Sequence, residues 1–297
     1  MHLRKFVFAP AIVAMAAALA VLLVVLQSGT TTSAQSTPTP RDLPIAGIPN
    51  IPAPTLVYTC YDVQKGEDVK VDARLITTNF GGDLVTVRRL VMMCELSTKN
   101  VIDTTNPKAP PVQDTKIFAC YTLDNGTDPN DPYSITTKNF GKDGVIVRTS
   151  NLMCESAVKY VTTANGTTQQ FGSMNGVIWQ CYRLDKGLDP AKPFILANNN
   201  FGLNSVRVRI GIEMCEEGEK DRLINGQIDV TGKATGVVYE CFKLDNGKDP
   251  QKVVTLETKN FGKDQVLVRN ARVMCEIGVK EPIHTTTTVP IDVPLPD

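Results

Sequence analysis

The chain has 297 residues, with 31 Lys+Arg balanced by 31 Asp+Glu, eight cysteines, one tryptophan and two histidines. Zero net charge supplies no basic field for a polyanion, which disfavours nucleic-acid binding. His2 lies at the very start and His284 near the end, which disfavours a Ser-His-Asp or Cys-His nucleophile and a His-held zinc.

The first element is apolar. Arg4 and Lys5 precede a run at 6–26 broken only by Pro10, and the small residues Thr32-Ser33-Ala34 follow. This layout predicts a secretory signal over 1–34. The run is also long enough to cross a bilayer, which needs about 20 residues, so an uncleaved anchor through 6–26 is the alternative, and the membrane is a partner only in that case. Residues 35–55 carry prolines at 38, 40, 44, 49, 52 and 54, which predicts an extended spacer.

Four copies of one unit come next, and repeats of this kind dominate any reading of architecture. With Cys60, Cys120, Cys181 and Cys241 aligned, a ring stands two residues before each: Tyr58, Phe118, Trp179, Tyr239. Another stands one residue after: Tyr61, Tyr121, Tyr182, Phe242. Further on comes Asn-Phe-Gly, with Phe80, Phe140, Phe201 and Phe261, then Val-x-Val-Arg ending at Arg88, Arg148, Arg209 and Arg269. Met-Cys-Glu follows at Cys94, Cys154, Cys215 and Cys275, and a lysine stands five residues later: Lys99, Lys159, Lys220, Lys280. No insertion interrupts these offsets. The repeats are predicted over 56–99, 116–160, 176–220 and 237–281, with a flexible tail over 282–297.

Within a unit, Val57-Tyr58-Thr59-Cys60-Tyr61 has rings on both parities, as in a strand buried on both faces. The Gly/Asp/Pro segment after it is turn chemistry, and alternating β-branched runs such as Val253–Thr258 predict further strands. No helical period survives after residue 34. The expected fold is all-β: four tandem, small, sandwich-like units. Eight cysteines in an exported chain predict disulfides. The simplest scheme joins the early and late cysteine of each unit, and the competing one joins a late cysteine to the next early one. A unit of some 45 residues is close to the size at which a core alone stops sufficing, so a bridge worth about 3 kcal/mol matters.

Candidate sites each have a plainer reading. Asp124–Asp128, Asp185–Asp189 and Asp245–Asp249 faintly resemble a calcium loop but lack its remaining oxygen ligands, so turns are expected and no metal. The repeated Arg, the Asp at 68, 128, 189 and 249, and the Glu at 95, 155, 216 and 276 could form a repeated polar binding site, but ion pairs or hydrogen bonds within each unit that fix register are expected. The methionines at 93, 153, 214 and 274 are expected in the core. The rings Tyr61, Tyr121, Tyr182, Phe242, Phe80, Phe140, Phe201 and Phe261 are candidate ligand contacts, or else pack on the disulfides. Asn125 and Asn165 begin glycosylation sequons.

The order Cys-Tyr-x-Leu, Asn-Phe-Gly, Val-x-Val-Arg and Met-Cys-Glu resembles a two-cysteine repeat of exported prokaryotic proteins whose function is unknown. That resemblance spans roughly 56–281 and implies no catalytic residue and no cofactor. The expected function is therefore a non-enzymatic, secreted or surface-displayed repeat protein, acting as a spacer or by multivalent contact with a protein partner. Envelope polysaccharide binding is the alternative.

Overall fold

The computed structural model describes residues 55–101, 115–224 and 227–283, all of it β structure and connecting turns. The predicted signal, most of the predicted spacer and all but the first two residues of the predicted tail lie outside the described residues. The first repeat contributes β1 (Thr55–Gln64), β2 (Asp68–Thr77) and β3 (Gly81–Val101). The second contributes β4 (Ile117–Asp124), β5 (Asp131–Thr137) and β6 (Gly141–Thr162), followed by a connector strand, β7 (Thr168–Gly172). The third supplies β8 (Ile178–Asp185), β9 (Lys192–Asn198) and β10 (Gly202–Ile224), with connector β11 (Gln227–Gly232). The fourth supplies β12 (Val238–Asp245), β13 (Lys252–Thr258) and β14 (Gly262–Pro282). The all-β expectation and the four stapled repeats hold.

What the ladders add is that no repeat owns a sheet. Each first strand pairs with the long strand of its own repeat and with that of the repeat before it. Followed around, β1–β3–β4–β6–β8–β10–β12–β14 returns to β1 through Tyr58↔Cys275 and Gln64↔Leu267. The eight strands form a closed antiparallel ring, which leaves no exposed edge among them.

The short strands lock opposite repeats. β2 pairs with the start of β3 and also with the end of β10, where Thr77 faces Gly81 on one side and Gly218 on the other. β9 returns the exchange onto β3, and β5 and β13 do the same between the second and fourth repeats. A long strand of 21–23 residues therefore pairs with four neighbours, or five where a connector strand joins it.

Alternation along the ring strands sorts side chains to the two faces of the sheet, one cluster on the inner face and two on the outer. Tyr58 and Cys60 join Cys94, Phe118, Trp179 and the remaining cysteines in one buried cluster. That cluster draws on all eight ring strands, so it fills the barrel interior, which at eight strands is narrow enough for side chains to close. Val57 and Tyr61, on the other parity, join a second core under the short strands. Met93, Met153, Met214 and Met274 are all fully buried. The disulfides are Cys60–Cys94, Cys120–Cys154, Cys181–Cys215 and Cys241–Cys275, each between the first and long strand of one repeat.

Two glycines per repeat are fixed for different reasons. In Asn-Phe-Gly, Gly81, Gly141, Gly202 and Gly262 have φ of 71–78°, where a Cβ is disfavoured. In the preceding turn the positive φ belongs instead to Lys65, Asn125, Lys186 and Asn246. The glycine after each is needed for space: a Cβ on Gly66, Gly126, Gly187 or Gly247 would sit 2.1, 2.0, 2.4 or 1.8 Å from a carbonyl oxygen of the long strand. That carbonyl belongs to Leu90, Ser150, Gly211 or Ala271, where the ladder to the next first strand is bulged.

Candidate functional site: a ring of inter-repeat polar contacts

Each recurrent glutamate follows the late cysteine on the outer parity of the long strand and is fully buried. It meets a lysine from the next repeat. Lys159 Nζ donates to Glu95 at 2.7 Å, Lys220 to Glu155 at 2.8 Å, and Lys280 to Glu216 at 3.4 Å. Lys99 of the first repeat donates to Glu276 of the fourth at 2.6 Å, so the series is cyclic. The other carboxylate oxygen takes the Asn-Phe-Gly asparagine of the opposite repeat: Asn79 on Glu216 at 2.8 Å, Asn260 on Glu155 at 2.6 Å, and Asn139 and Asn200 on Glu276 and Glu95. Every glutamate thus ties three repeats together.

The adjoining phenylalanine covers the lysine. Lys99, Lys159, Lys220 and Lys280 lie 4.7, 4.7, 4.6 and 4.0 Å from the ring centroids of Phe140, Phe201, Phe261 and Phe80. Burial lowers the pKa of all four lysines, with Lys220 and Lys280 at about 8, while the facing glutamate pulls the other way. Charges so deep persist only when paired and fully hydrogen-bonded.

The repeated arginine also bridges repeats, where sequence suggested a contact within one. Arg88 holds Asp68 of its own repeat at 2.8 Å and Asp124 of the next. Arg148 spans Asp128 and Asp185, and Arg209 spans Asp189 and Asp245. Arg269 holds Asp249, but across the junction to the first repeat it meets Gln64. The guanidinium hydrogen bonds hold Asp68, Asp189 and Asp249 below the ordinary carboxylate range. These pairs are partly exposed and contribute modestly.

Of the rings proposed as ligand contacts, Tyr61, Tyr121, Tyr182, Phe242 and Phe201 are buried, and Phe80, Phe140 and Phe261 are half-buried. Tyr61 packs on Phe201, Tyr121 on Phe261, Tyr182 on Phe80 and Phe242 on Phe140, with centroids 4.5–4.6 Å apart, again between opposite repeats. Tyr61, Tyr121, Tyr182 and Phe242 are at most 2% exposed, so they form core pairs rather than an open platform. The rings before the early cysteines converge inside the barrel, where Trp179 lies 3.9 Å from Phe118, 4.6 Å from Tyr239 and 4.8 Å from Tyr58. Among the described residues no group of three or more His, Cys, Asp or Glu side chains is placed to hold a metal.

Sequence reasoning passed over positions that vary between copies. An Asp or Asn of one repeat caps the turn of the next, with Thr127 N donating to Asp83 at 3.1 Å, Leu188 N to Asp143 at 2.6 Å, Lys248 N to Asn204 at 2.9 Å and Glu67 N to Asp264 at 2.8 Å. Beside two of these caps lies the residue preceding an early cysteine. Gln180 donates to Asp83 at 2.9 Å and to Ser150. At the corresponding place Glu240 faces Asp143, with Gly211 where Ser150 stands. Neither Glu240 oxygen has a donor, and burial followed by the Asp143 charge pushes its carboxyl up to about 9. Burial and the neighbouring Asp143 charge thus favour the neutral form of Glu240, which stands at the position that Gln180 occupies one repeat earlier.

No family model, no curated protein and no solved structure matches the chain. Four disulfides with no free cysteine among the described residues indicate an oxidising, extracytoplasmic setting.

Proposed function

We propose that the protein is a non-enzymatic extracytoplasmic interaction module, exported by its apolar first segment and either released or held at the cell surface. One observation carries this reading. The recurrent glutamates, lysines, asparagines and most recurrent rings are engaged in contacts between repeats, which favours a structural role for them over a catalytic one. Contact with a partner falls to the surface positions that differ from copy to copy. The closed ring supports a rigid body better than an extensible spacer, because stretching it would first require breaking the β1–β14 ladder. Its quasi-equivalent corners are the natural places for repeated contact.

The test is co-sedimentation of the oxidised protein with the host's insoluble envelope, before and after protease treatment. Retention that protease abolishes supports a protein partner, and retention that survives it transfers the role to envelope polysaccharide. No retention in either case overturns the interaction reading at the envelope.

A further inference from the structure

Three of the four Asn-Phe-Gly corners carry a second, outer cation besides the buried lysine. Lys192 donates to the Asn139 carbonyl at 3.4 Å and lies 5.7 Å from the Phe140 centroid. Lys252 donates to the Asn200 carbonyl at 3.0 Å and lies 5.6 Å from Phe201. At the fourth repeat's corner Arg222, reaching from the end of β10, donates to the Asn260 carbonyl at 2.8 Å and lies 5.3 Å from Phe261. Two different chain positions thus converge on one arrangement: a cation over the phenylalanine, bonded to the asparagine carbonyl.

At the first repeat's corner both positions are altered. Lys192 and Lys252 open β9 and β13, and the residue opening β5 is Asp131. The equivalent of Arg222 is Pro282, at the end of β14 beside Tyr133. Among the described residues no outer lysine or arginine donates to the Asn79 carbonyl or lies over Phe80. Arg74 instead folds across Gly82, where the other repeats carry Lys142, Leu203 and Lys263. A cavity of about 280 Å³ opens here, lined by Asn79, Phe80, Asp83, Thr127, Asp131 and Tyr182. It offers a carbonyl, an aromatic ring and a carboxylate, the three partners a desolvated ammonium needs.

We propose that this corner binds an alkylammonium group of a ligand, which takes the place that Lys192 and Lys252 fill in the sister corners, with Asp131 as its counter-ion. The volume suits a short chain rather than a large organic molecule. The proposal gives a ligand chemistry to the interaction reading and rests on it, but its test uses isolated amines, so either can fail while the other stands.

The oxidised protein is titrated with n-butylammonium, 1,5-diaminopentane and a capped lysine peptide, with n-butanol as the uncharged control, following backbone amide shifts of Gly82 and Asp131 by NMR. Saturable shifts with amines and none with butanol are expected. Response to the diamine alone or to the peptide as well separates a small free amine from a protein lysine. Asp131→Lys installs the sister corners' lysine and is expected to abolish the shifts while leaving far-UV circular dichroism unchanged. Should that variant misfold, Asp131→Asn is expected to weaken binding about fivefold, the loss of one partly exposed charge pair. Absence of saturable shifts with every amine, equal shifts with butanol, or undiminished binding in a folded Asp131→Lys or Asp131→Asn variant overturns the proposal.

Discussion

Lys99 of the first repeat and Glu276 of the fourth meet at 2.6 Å with side chains 1% and 0% exposed, and this pair closes the polar ring. It lies 177 residues apart in sequence, so it exists only when the whole chain is assembled. Lys99→Met leaves the Glu276 charge buried without its cation, and the expected loss is about 3–5 kcal/mol. Lys99→Met combined with Glu276→Leu should recover a large part of it. Urea denaturation followed by Trp179 fluorescence measures both. Equal stability of the wild type and the single variant would show that the pair does not hold the ring shut.

Because the ladders run between repeats, the described body should unfold as one. The fragment 176–220 is expected to be unfolded, its disulfide intact, since β8, β9 and β10 each lose a ladder to another repeat. Circular dichroism of the isolated fragment checks this. A native-like β spectrum with a cooperative melt would mean that each repeat is a domain of its own.

Removing one bridge weakens the whole ring. Replacing Cys60 and Cys94 together by alanine is expected to cost about 2–4 kcal/mol, the usual effect of releasing a loop of this size. Cooperativity should be kept, because the strands joined by that bridge remain paired with both neighbours. Two separate transitions in calorimetry would contradict it.

Glu240 should make stability depend on pH. Its folded pKa of about 9 lies above the ordinary 4.5, so the folded state holds a proton that the unfolded state has lost. The stabilisation is complete below about pH 4.5 and is lost as pH rises through 9. Glu240→Gln removes the titration and installs the residue that stands at position 180. The difference in stability between variant and wild type should therefore grow in the variant's favour from pH 5 to 9, by a few kcal/mol, and then level off. Paired denaturation curves across that range decide it, and a difference independent of pH removes Glu240 as the titrating group.

The two glycine classes predict unequal costs. Gly126→Ala places a Cβ 2.0 Å from the Ser150 carbonyl oxygen and should cost more than about 3 kcal/mol, since backbone must move. Gly141→Ala meets nothing within 4 Å and pays only for its φ of 78°, about 1–2 kcal/mol. Gly141→Asn should cost less still. Equal losses at 126 and 141 would refute the distinction.

Local and periodic features were legible in the residues alone. Offsets without insertions defined the four repeats and made the pairing within each repeat the simplest of two schemes, the one the structure shows. β-branched alternation and turn chemistry pointed to the strand class, because these depend on neighbours a few residues away. Tertiary structure alone decided where the recurrent charges find partners. A ladder within a repeat and one between repeats have the same alternation, so nothing in the pattern separates four small sandwiches from one closed ring. The same limit hid the surroundings of Glu240 and Asp131. Each sits at a column where the copies differ, and the meaning of such a difference appears only when closure of the ring brings distant repeats together around it.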